Sequence, residues 1–347
     1  MKRDEAIRRL KEENYRVQSG QNFEARRLQP EDAWGVARCF FAVYGEHYPF
    51  DLNYVPEKLI EANREGKVHS VVARTEKGDI VGYGALFRSS AHSPKVYEGG
   101  QATILPDYRS TFAALCIQDF ILEELVRGED IDQIFGESVC NHVITQRMLL
   151  IADFIETGME IGLMPPEGYE NPEFPNDRIS TVLSFRRVRD ELLTVHFPRD
   201  YTQALDYILS GLDLSRNVVA SETGIPSGTG TELQTQFFDF AKVARLSVCR
   251  VGEDFPKVLT AAEKQARNRE TQVVQVYVNL GEPSSGWAAS VLRENGYFFG
   301  GFLPRWFDTD GLLMQKLVEL PNFDSIKLFS RRAKDILEFI RRDIGRG

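Results

Sequence analysis

The sequence predicts an α+β protein in which a sheet is flanked by helices, and three observations lead there. Strand-like apolar runs alternate along the whole chain with stretches whose apolar residues recur at helical spacing. Residues 96–125 read as strand, turn and helix in direct succession: Ala102, Ile104 and Leu105 run up to Pro106, and residues 107–111 make a short polar turn. Phe112, Leu115, Ile117, Phe120, Ile121 and Leu125 then follow at helical spacing. The order of elements recurs in the second half, which points to two copies of one unit. With 347 residues, 42% hydrophobic and 27% charged, the chain is long enough for two cores.

Taken in order, residues 4–17 form a short amphipathic helix with Ile7, Leu10 and Tyr15 on one side. Residues 23–28 are a first strand. Pro30-Glu31-Asp32 then opens a helix with proline and acids in its first turn, and Ala33, Val36, Ala37, Phe40, Phe41 and Tyr44 make its face. Residues 45–56 are rich in aromatics, Pro and Asn and lead to a helix at 57–65. Strands at 68–74 and 80–88 flank Glu76-Lys77-Gly78-Asp79, a hairpin turn with the expected Gly and Asp. Strand 96–105 delivers the chain to the polar turn.

Beyond the 112–125 helix come a strand at 131–139 running into Cys140-Asn141-His142, a helix at 144–155 and a turn from Gly158 to Gly162. A Pro-, Glu- and Asn-rich excursion (165–177) and a strand at 178–188 follow. The second half supplies strands at 192–197 and within 235–251 and helices at 198–209 and 256–267. After these come a strand at 273–278, Asn279, a helix at 284–294, a second glycine pair (Gly296, Gly300) and a strand at 310–320. Residues 324–344 read as a helix with Ile326, Phe329, Ala333, Ile336, Leu337 and Ile340 on one face.

A helix that opens straight from a turn aims unpaired N–H groups and the positive end of its dipole at what lies above it, which suits phosphate. The turn here, Arg109-Ser110-Thr111-Phe112-Ala113-Ala114 after Pro106-Asp107-Tyr108, resembles the pyrophosphate loop of the GNAT superfamily of N-acetyltransferases. That loop reads Gln or Arg, x, x, Gly, x, Gly or Ala between the fourth strand and the third helix. The leading Arg and final Ala match, and Phe112 stands where the family prefers Gly. The Pro-Glu-Asp helix opening, Asn141 at a strand end and the pair Gly158 and Gly162 agree with the family in order.

The resemblance implies a mixed, mainly antiparallel twisted sheet in two copies. It divides the chain into a helical extension (1–22), a GNAT-like acyl-CoA-binding domain (23–190), a degenerate GNAT-like domain (191–321) and a C-terminal helix (322–347). Acetyl-CoA is the implied co-substrate, met by Ile104, Leu105, Arg109, Ser110, Thr111, Phe112, Ala113 and Ala114, with Asn141 on the pantetheine arm. Glu98 lies on the strand that carries a general base in the family, and backbone N–H groups near 102–104 would face the oxyanion. No Tyr occupies the helix after Asn141, where the family often places its general acid, so Tyr108 and Cys140 stand in for it. The acceptor is a small-molecule or peptide amine, covered by residues 45–56. Read without the resemblance, the same residues make an ordinary strand-turn-helix corner, a packed aromatic loop and a solvent-facing Glu98. A non-catalytic protein that binds ligands in the same cleft is the alternative function.

The second copy offers only Gly252-Glu253-Asp254-Phe255-Pro256-Lys257 where a phosphate loop would fall, and its two acids repel a pyrophosphate. Acyl-CoA binding is expected to be lost there. The Gly/Ser/Thr-rich segment 221–231 lacks the Gly-Lys-Ser/Thr ending of a P-loop and reads as a flexible loop. The formal net charge of −9 and pI near 5.3 oppose broad attraction to nucleic acid or anionic membrane. The four cysteines show no CxxC spacing and read as reduced, mostly buried thiols; the five histidines show no metal-ligand spacing, so no metal is expected. The charged start of the chain lacks the apolar core of a signal peptide, and a cytoplasmic location is expected. A homodimer is left open.

Overall fold

A computed structural model describes residues 1–13, 15–167, 174–228 and 230–346. Asn14, positions 168–173 of the Pro-, Glu- and Asn-rich excursion, position 229 of the Gly/Ser/Thr-rich segment and Gly347 lie outside the described residues. The chain divides into two compact units: Met1–Ser89 with Tyr97–Ile131, and Ser90–Val96 with Asp132–Gly347. Both carry a mixed α/β architecture with a mainly antiparallel sheet and flanking helices, the expected fold class.

The first unit comprises α1 (Arg3–Glu13), β1 (Phe23–Arg27), α2 (Ala33–Tyr44), α3 (Pro56–Arg64), β2 (Val68–Thr75), β3 (Ile80–Phe87), β4 (Val96–Ile104) and α4 (Ala113–Asp119). Its strands lie in the order β1-β2-β3-β4, each pair antiparallel. Successive residues of a strand point to opposite faces, and β3 uses this sharply. Tyr83 packs against Phe40 of α2 with ring centroids 5.4 Å apart. Gly82 and Gly84, on the other face, leave room for Ile117 of α4: a Cβ at either would come within 2.9 Å and 2.7 Å of that side chain. Two helices therefore bury their apolar faces on opposite sides of one strand.

Two expectations are corrected in this unit. The first helix ends at Glu13, and Tyr15 lies beyond it, 48% exposed. Its ring sits under the Arg38 guanidinium and its hydroxyl donates to Asp79 at 2.6 Å, contacts that draw the chain away from the helix axis. The 112–125 helix is not one α-helix, because α4 widens into a π-helical stretch over Phe120–Leu125. Ala113, Ile117, Leu122 and Leu125 are buried, whereas Phe112 and Leu115 are exposed, so the helical spacing of those two did not mark core.

The second unit comprises β5 (Gln133–Val139), α5 (Ile144–Ile151), β6 (Ile155–Met164), β7 (Ile179–Arg187), β8 (Leu193–Phe197), α6 (Thr202–Ser210), β9 (Arg216–Ala220) and β10 (Glu232–Phe238). It continues with β11 (Val243–Arg250), α7 (Phe255–Asn268), β12 (Val273–Asn279), α8 (Ser285–Glu294), β13 (Phe298–Leu303), β14 (Gly311–Leu317) and α9 (Arg331–Ile344). Its sheet runs β5-β7-β6-β13-β14-β12-β11-β10. Within it β11 and β12 pair in parallel and the other neighbours are antiparallel, while β8 and β9 form a separate parallel pair.

Four further corrections follow. The helix expected to reach 155 stops at Ile151, because Asp153 turns the chain with φ +59° and Ile155 begins β6. Gly158 to Gly162 is not a turn but part of β6, where Gly158 lies opposite Gly301 of β13. A Cβ on Gly301 would stand 2.4 Å from the Gly158 Cα, so these glycines serve close approach of two backbones. The last helix starts at Arg331 rather than 324, where the Ser330 hydroxyl accepts the Ala333 N–H at 2.9 Å. Strand β9 was not foreseen. Of the free cysteines, Cys39 and Cys140 are buried and Cys116 and Cys249 are partly exposed.

The second unit also buries a charge pair. The Asp310 carboxylate, with no exposed surface, accepts from Arg216 Nε at 2.5 Å, Arg216 Nη2 at 3.1 Å and the Arg305 N–H at 2.9 Å. Removing one partner of such a pair strands the other without water. Arg216→Leu should therefore lower stability by about 3–5 kcal/mol, read as a lower urea midpoint at an unchanged slope. A midpoint equal to the parent's would show that Asp310 does not depend on Arg216.

Candidate functional site

The site residues of the first unit are brought together by β4 and the corner that follows it. Glu98, Gly99 and Gly100 face Phe87, Leu86 and Ala85 of β3, and Thr103 and Ile104 face Tyr83 and Gly82. Between these two stretches Gln101 and Ala102 stand against the single residue Gly84. That is a β-bulge, which bends the strand and takes its extra residue out of the ladder. Gln101 has φ +52°, a left-handed conformation that non-glycine residues adopt only when their surroundings impose it. The bulge falls just after Gly99-Gly100, so Glu98 keeps its regular register, and Ala102 is exposed.

Past Ile104 the chain turns through Leu105, which is 9% exposed, and the single 3-10 turn Pro106–Tyr108. Arg109 folds back so that its Nε donates to the Ile104 carbonyl at 3.3 Å, with the side chain exposed. Ser110 and Thr111 are exposed, and the Thr111 hydroxyl donates to the Tyr108 carbonyl at 2.7 Å and accepts the Ala113 N–H at 3.2 Å. Phe112 has φ −82° and ψ 10°, so its backbone does not require glycine. Its ring is 74% exposed. The ring stands on the outer surface of the corner. Ala113 is fully buried and Ala114 partly so.

Tyr108 is 1% exposed. Its hydroxyl donates to the Gln18 carbonyl at 2.8 Å and accepts the Gln21 N–H at 3.2 Å. It therefore fastens the segment between α1 and β1 onto the corner. Residues 15–17 of that segment line a cleft of about 460 Å³ together with Cys39, Ile80, Leu105 and Pro106. Burial pushes the Cys39 thiol up to about 12, against the pull of the Leu105 backbone and Arg109.

Beside β4 runs a ladder of rings from α2 into the 45–56 loop: Phe40, Tyr44, Tyr48 and Phe50, with successive centroids 5.9, 4.9 and 5.7 Å apart. Burial pushes the Tyr44 phenol up while Thr103 and Arg109 pull it down. Tyr48 is raised first by burial and then by Tyr44, Tyr83 and Glu98. Tyr44 thus lies within electrostatic reach of Arg109, and Tyr48 within that of Glu98. Sequence reading flagged the loop's composition but missed its latch to the strand: Asn53 Nδ2 donates to Gln101 Oε1 at 3.1 Å. The glycines before Gln101 signalled a bulge, yet nothing local marks a glutamine for positive φ.

Asn141 belongs to the second unit, after β5, and is not grouped with these residues by the structure of either unit. It is partly exposed. Its neighbour Cys140 is buried, with its thiol pushed up by burial and its N–H donated to the Ser180 carbonyl at 2.9 Å. Among the described residues no group of three or more His, Cys, Asp or Glu side chains is placed to hold a metal ion, and no helix is long and apolar enough to cross a membrane.

No family model matches the chain, and no curated protein matches it. Solved structures do resemble part of it. A Desulfovibrio desulfuricans protein described as a GNAT-family acetyltransferase is 15% identical, with 48% of this chain and 99% of that one covered at a TM-score of 0.36. A ribosomal-protein-alanine N-acetyltransferase from Brucella melitensis is 15% identical, with 47% and 99% covered at 0.36. A Salmonella typhimurium protein described as an acetyltransferase and solved with acetyl-CoA is 13% identical, with 49% and 96% covered at 0.38.

The Tyr108 hydroxyl is the direct tie between the corner and the segment ahead of β1. Tyr108→Phe removes both of its hydrogen bonds while keeping the ring that packs edge-on to Phe23. Stability should fall by about 1–2 kcal/mol, and limited proteolysis should cut within residues 15–21 sooner than in the parent. Unchanged cleavage would mean that the other contacts hold the segment unaided.

Proposed function

We propose that the chain is an acyl-CoA-dependent N-acyltransferase, with acetyl-CoA as donor and a small-molecule or peptide amine as acceptor. The observation that carries this reading is the bulge in β4 immediately ahead of the Arg109-led corner. A bulge frees backbone N–H groups from the ladder, which suits an acyl carbonyl whose oxygen becomes negative. By the resemblance of the corner to a pyrophosphate loop, the two ends of one donor would fall on the two sides of one strand-turn segment. Arg109 meets the pyrophosphate, Ser110 to Ala114 line it, and Ile104 and Leu105 flank the pantetheine arm.

In this proposal the amine nitrogen attacks the thioester carbon, Glu98 takes the amine proton directly or through a water, and the thiolate leaves. Holding amine and thioester in line supplies most of the rate. The Tyr108 hydroxyl, committed to Gln18, receives no role in proton transfer here, and the thiolate's proton is unassigned.

We further propose that residues 191–321 are a degenerate second copy of the fold in residues 23–190. The succession β11, α7, β12, α8, β13, β14 repeats β4, α4, β5, α5, β6, β7, and the pairings β12/β14 and β13/β14 repeat β5/β7 and β6/β7. Three features of that copy favour loss of acyl-CoA binding. Strands β11 and β12 stay paired without a break from Val243/Val273 to Val248/Val278, and Asn279 Nδ2 extends the closure by donating to the Cys249 carbonyl at 3.1 Å. At the start of α7, Asp254 places a carboxylate that accepts the Thr231 N–H at 2.8 Å. With the bulge residue discounted, Arg245 falls where Glu98 stands in the first copy.

One observation favours the alternative, a non-catalytic ligand-binding protein: the exposed Phe112 ring occupies the corner where relatives keep glycine. A thermal shift decides between no ligand and a ligand, since acetyl-CoA at about 100 times its dissociation constant adds roughly 2.7 kcal/mol.

Calorimetric titration of the full chain should find one acetyl-CoA per chain, and two would restore the second copy as a site. Arg109→Ala should weaken acetyl-CoA about ten-fold or more through a lost charged hydrogen bond and leave a dephosphorylated pantetheine fragment unaffected. Equal losses for both would assign Arg109 to folding.

Glu98→Gln should lower kcat/KM about a hundred-fold or more, flatten the acid limb of the pH profile and leave acetyl-CoA affinity unchanged. An intact rate and an intact limb would remove Glu98 from the mechanism.

A further inference from the structure

We propose that Asn53 is a positioning residue that latches the β4 bulge through Gln101 and so couples the aromatic 45–56 loop to the strand. Three observations in the first unit meet here. Gln101 holds φ +52° in the middle of a strand, a conformation that a side chain disfavours and that only its surroundings can enforce. Its Oε1 accepts Asn53 Nδ2 at 3.1 Å from a point 48 residues away in the chain. Asn53 itself is 1% exposed, and its Oδ1 has no hydrogen-bond partner among the described residues. A buried amide with an unsatisfied acceptor is costly to keep, and its donor goes to the bulge residue.

The loop is built to hold Asn53 still. The residue ends the 3-10 turn Asp51–Asn53, and Asp51 is tied to Arg3 at 3.1 Å and Lys58 at 2.7 Å. The next residue, Tyr54, is fully buried, donates its hydroxyl to the Gly45 carbonyl at 2.8 Å and accepts the Tyr48 N–H at 3.2 Å. The rigid partner is therefore the loop, and the strained one is the strand. Without the latch, Gln101 can relax to an extended conformation. The extra residue is then lost from β4, and every side chain beyond it changes face: Thr103, now 4% exposed, would turn outward. The structural part of this inference stands by itself, and its catalytic consequence rests on the acyltransferase reading.

The test uses the full chain as Asn53→Ala, Gln101→Gly and the double variant, read by amide hydrogen exchange over residues 98–105 and by steady-state acetyl transfer. Asn53→Ala should speed exchange in that stretch about ten-fold or more. It should also lower kcat about a hundred-fold, the effect of a misplacement of order 1 Å, while KM for acetyl-CoA changes little. The double variant should recover both, because glycine takes positive φ without a latch. Gln101→Gly alone should keep the parent's protection, which preserves the test if Asn53→Ala does not fold. Parent-like exchange in Asn53→Ala, a double variant no better than Asn53→Ala, or loss of protection in Gln101→Gly would each overturn the latch. A parent chain without transfer activity would overturn the acyltransferase reading and leave the exchange data to judge the latch.

Discussion

A β-strand can change which face its residues present only by breaking its own ladder, and β4 does so at a single left-handed residue, Gln101. Much of the first unit is arranged around that break. Upstream of it, Glu98 to Gly100 keep register with β3; downstream, Thr103 and Ile104 do so again with the phase reversed. The sheet can tolerate the irregularity because β3 offers only Gly84 opposite it, and the same glycine makes room for α4 on that face. The loop that crosses beside β4 then reaches Gln101 through Asn53. Strand, helix and loop thus meet at one bend.

Charge is handled differently in the two units. Around the corner of the first unit, Arg109, Ser110 and Thr111 are exposed. In the second unit one cluster of charged residues on the sheet, around Arg245, is turned inward and satisfies itself. Arg245, 8% exposed, donates to Glu137 and Glu160 at 3.1 Å, to Gln275 at 2.8 Å and to Ser90 at 2.7 Å, while Glu160 also accepts from Thr181 and Gln275. Burying ions is tolerable only when their donors and acceptors are met in this way. A network of this kind fixes a structure and has little left over for other partners.

Aromatic residues are likewise divided between packing and display. Phe135, Phe185, Tyr277 and Trp306 are buried together in the second unit, with Phe135 and Tyr277 at 5.1 and 4.9 Å from Trp306. The ladder beside β4 includes rings that are not, Tyr44 at 37% and Phe50 at 38% exposed. Phe40 packs against Tyr83 in the core, while the next two rings, Tyr44 and Tyr48, feel the charges of Arg109 and Glu98 respectively.

The sequence by itself determined most of the element order up to β5, the hairpin at Gly78 and the strand-turn-helix corner at 104–114, because periodicity and turn chemistry act within a few residues of one another. It also exposed the acids at the start of α7. It did not determine where Phe112 points, since helical spacing cannot say which side of a short helix finds a partner. It mistook Gly158 for a turn because glycine serves close backbone approach as well as turning, and the other backbone, at Gly301, lies far along the chain. Only the tertiary structure decided the bulge residue and its latch. Positive φ at a glutamine costs energy locally and is repaid by a hydrogen bond from Asn53, and a contact between residues so distant in sequence leaves no local trace in either segment.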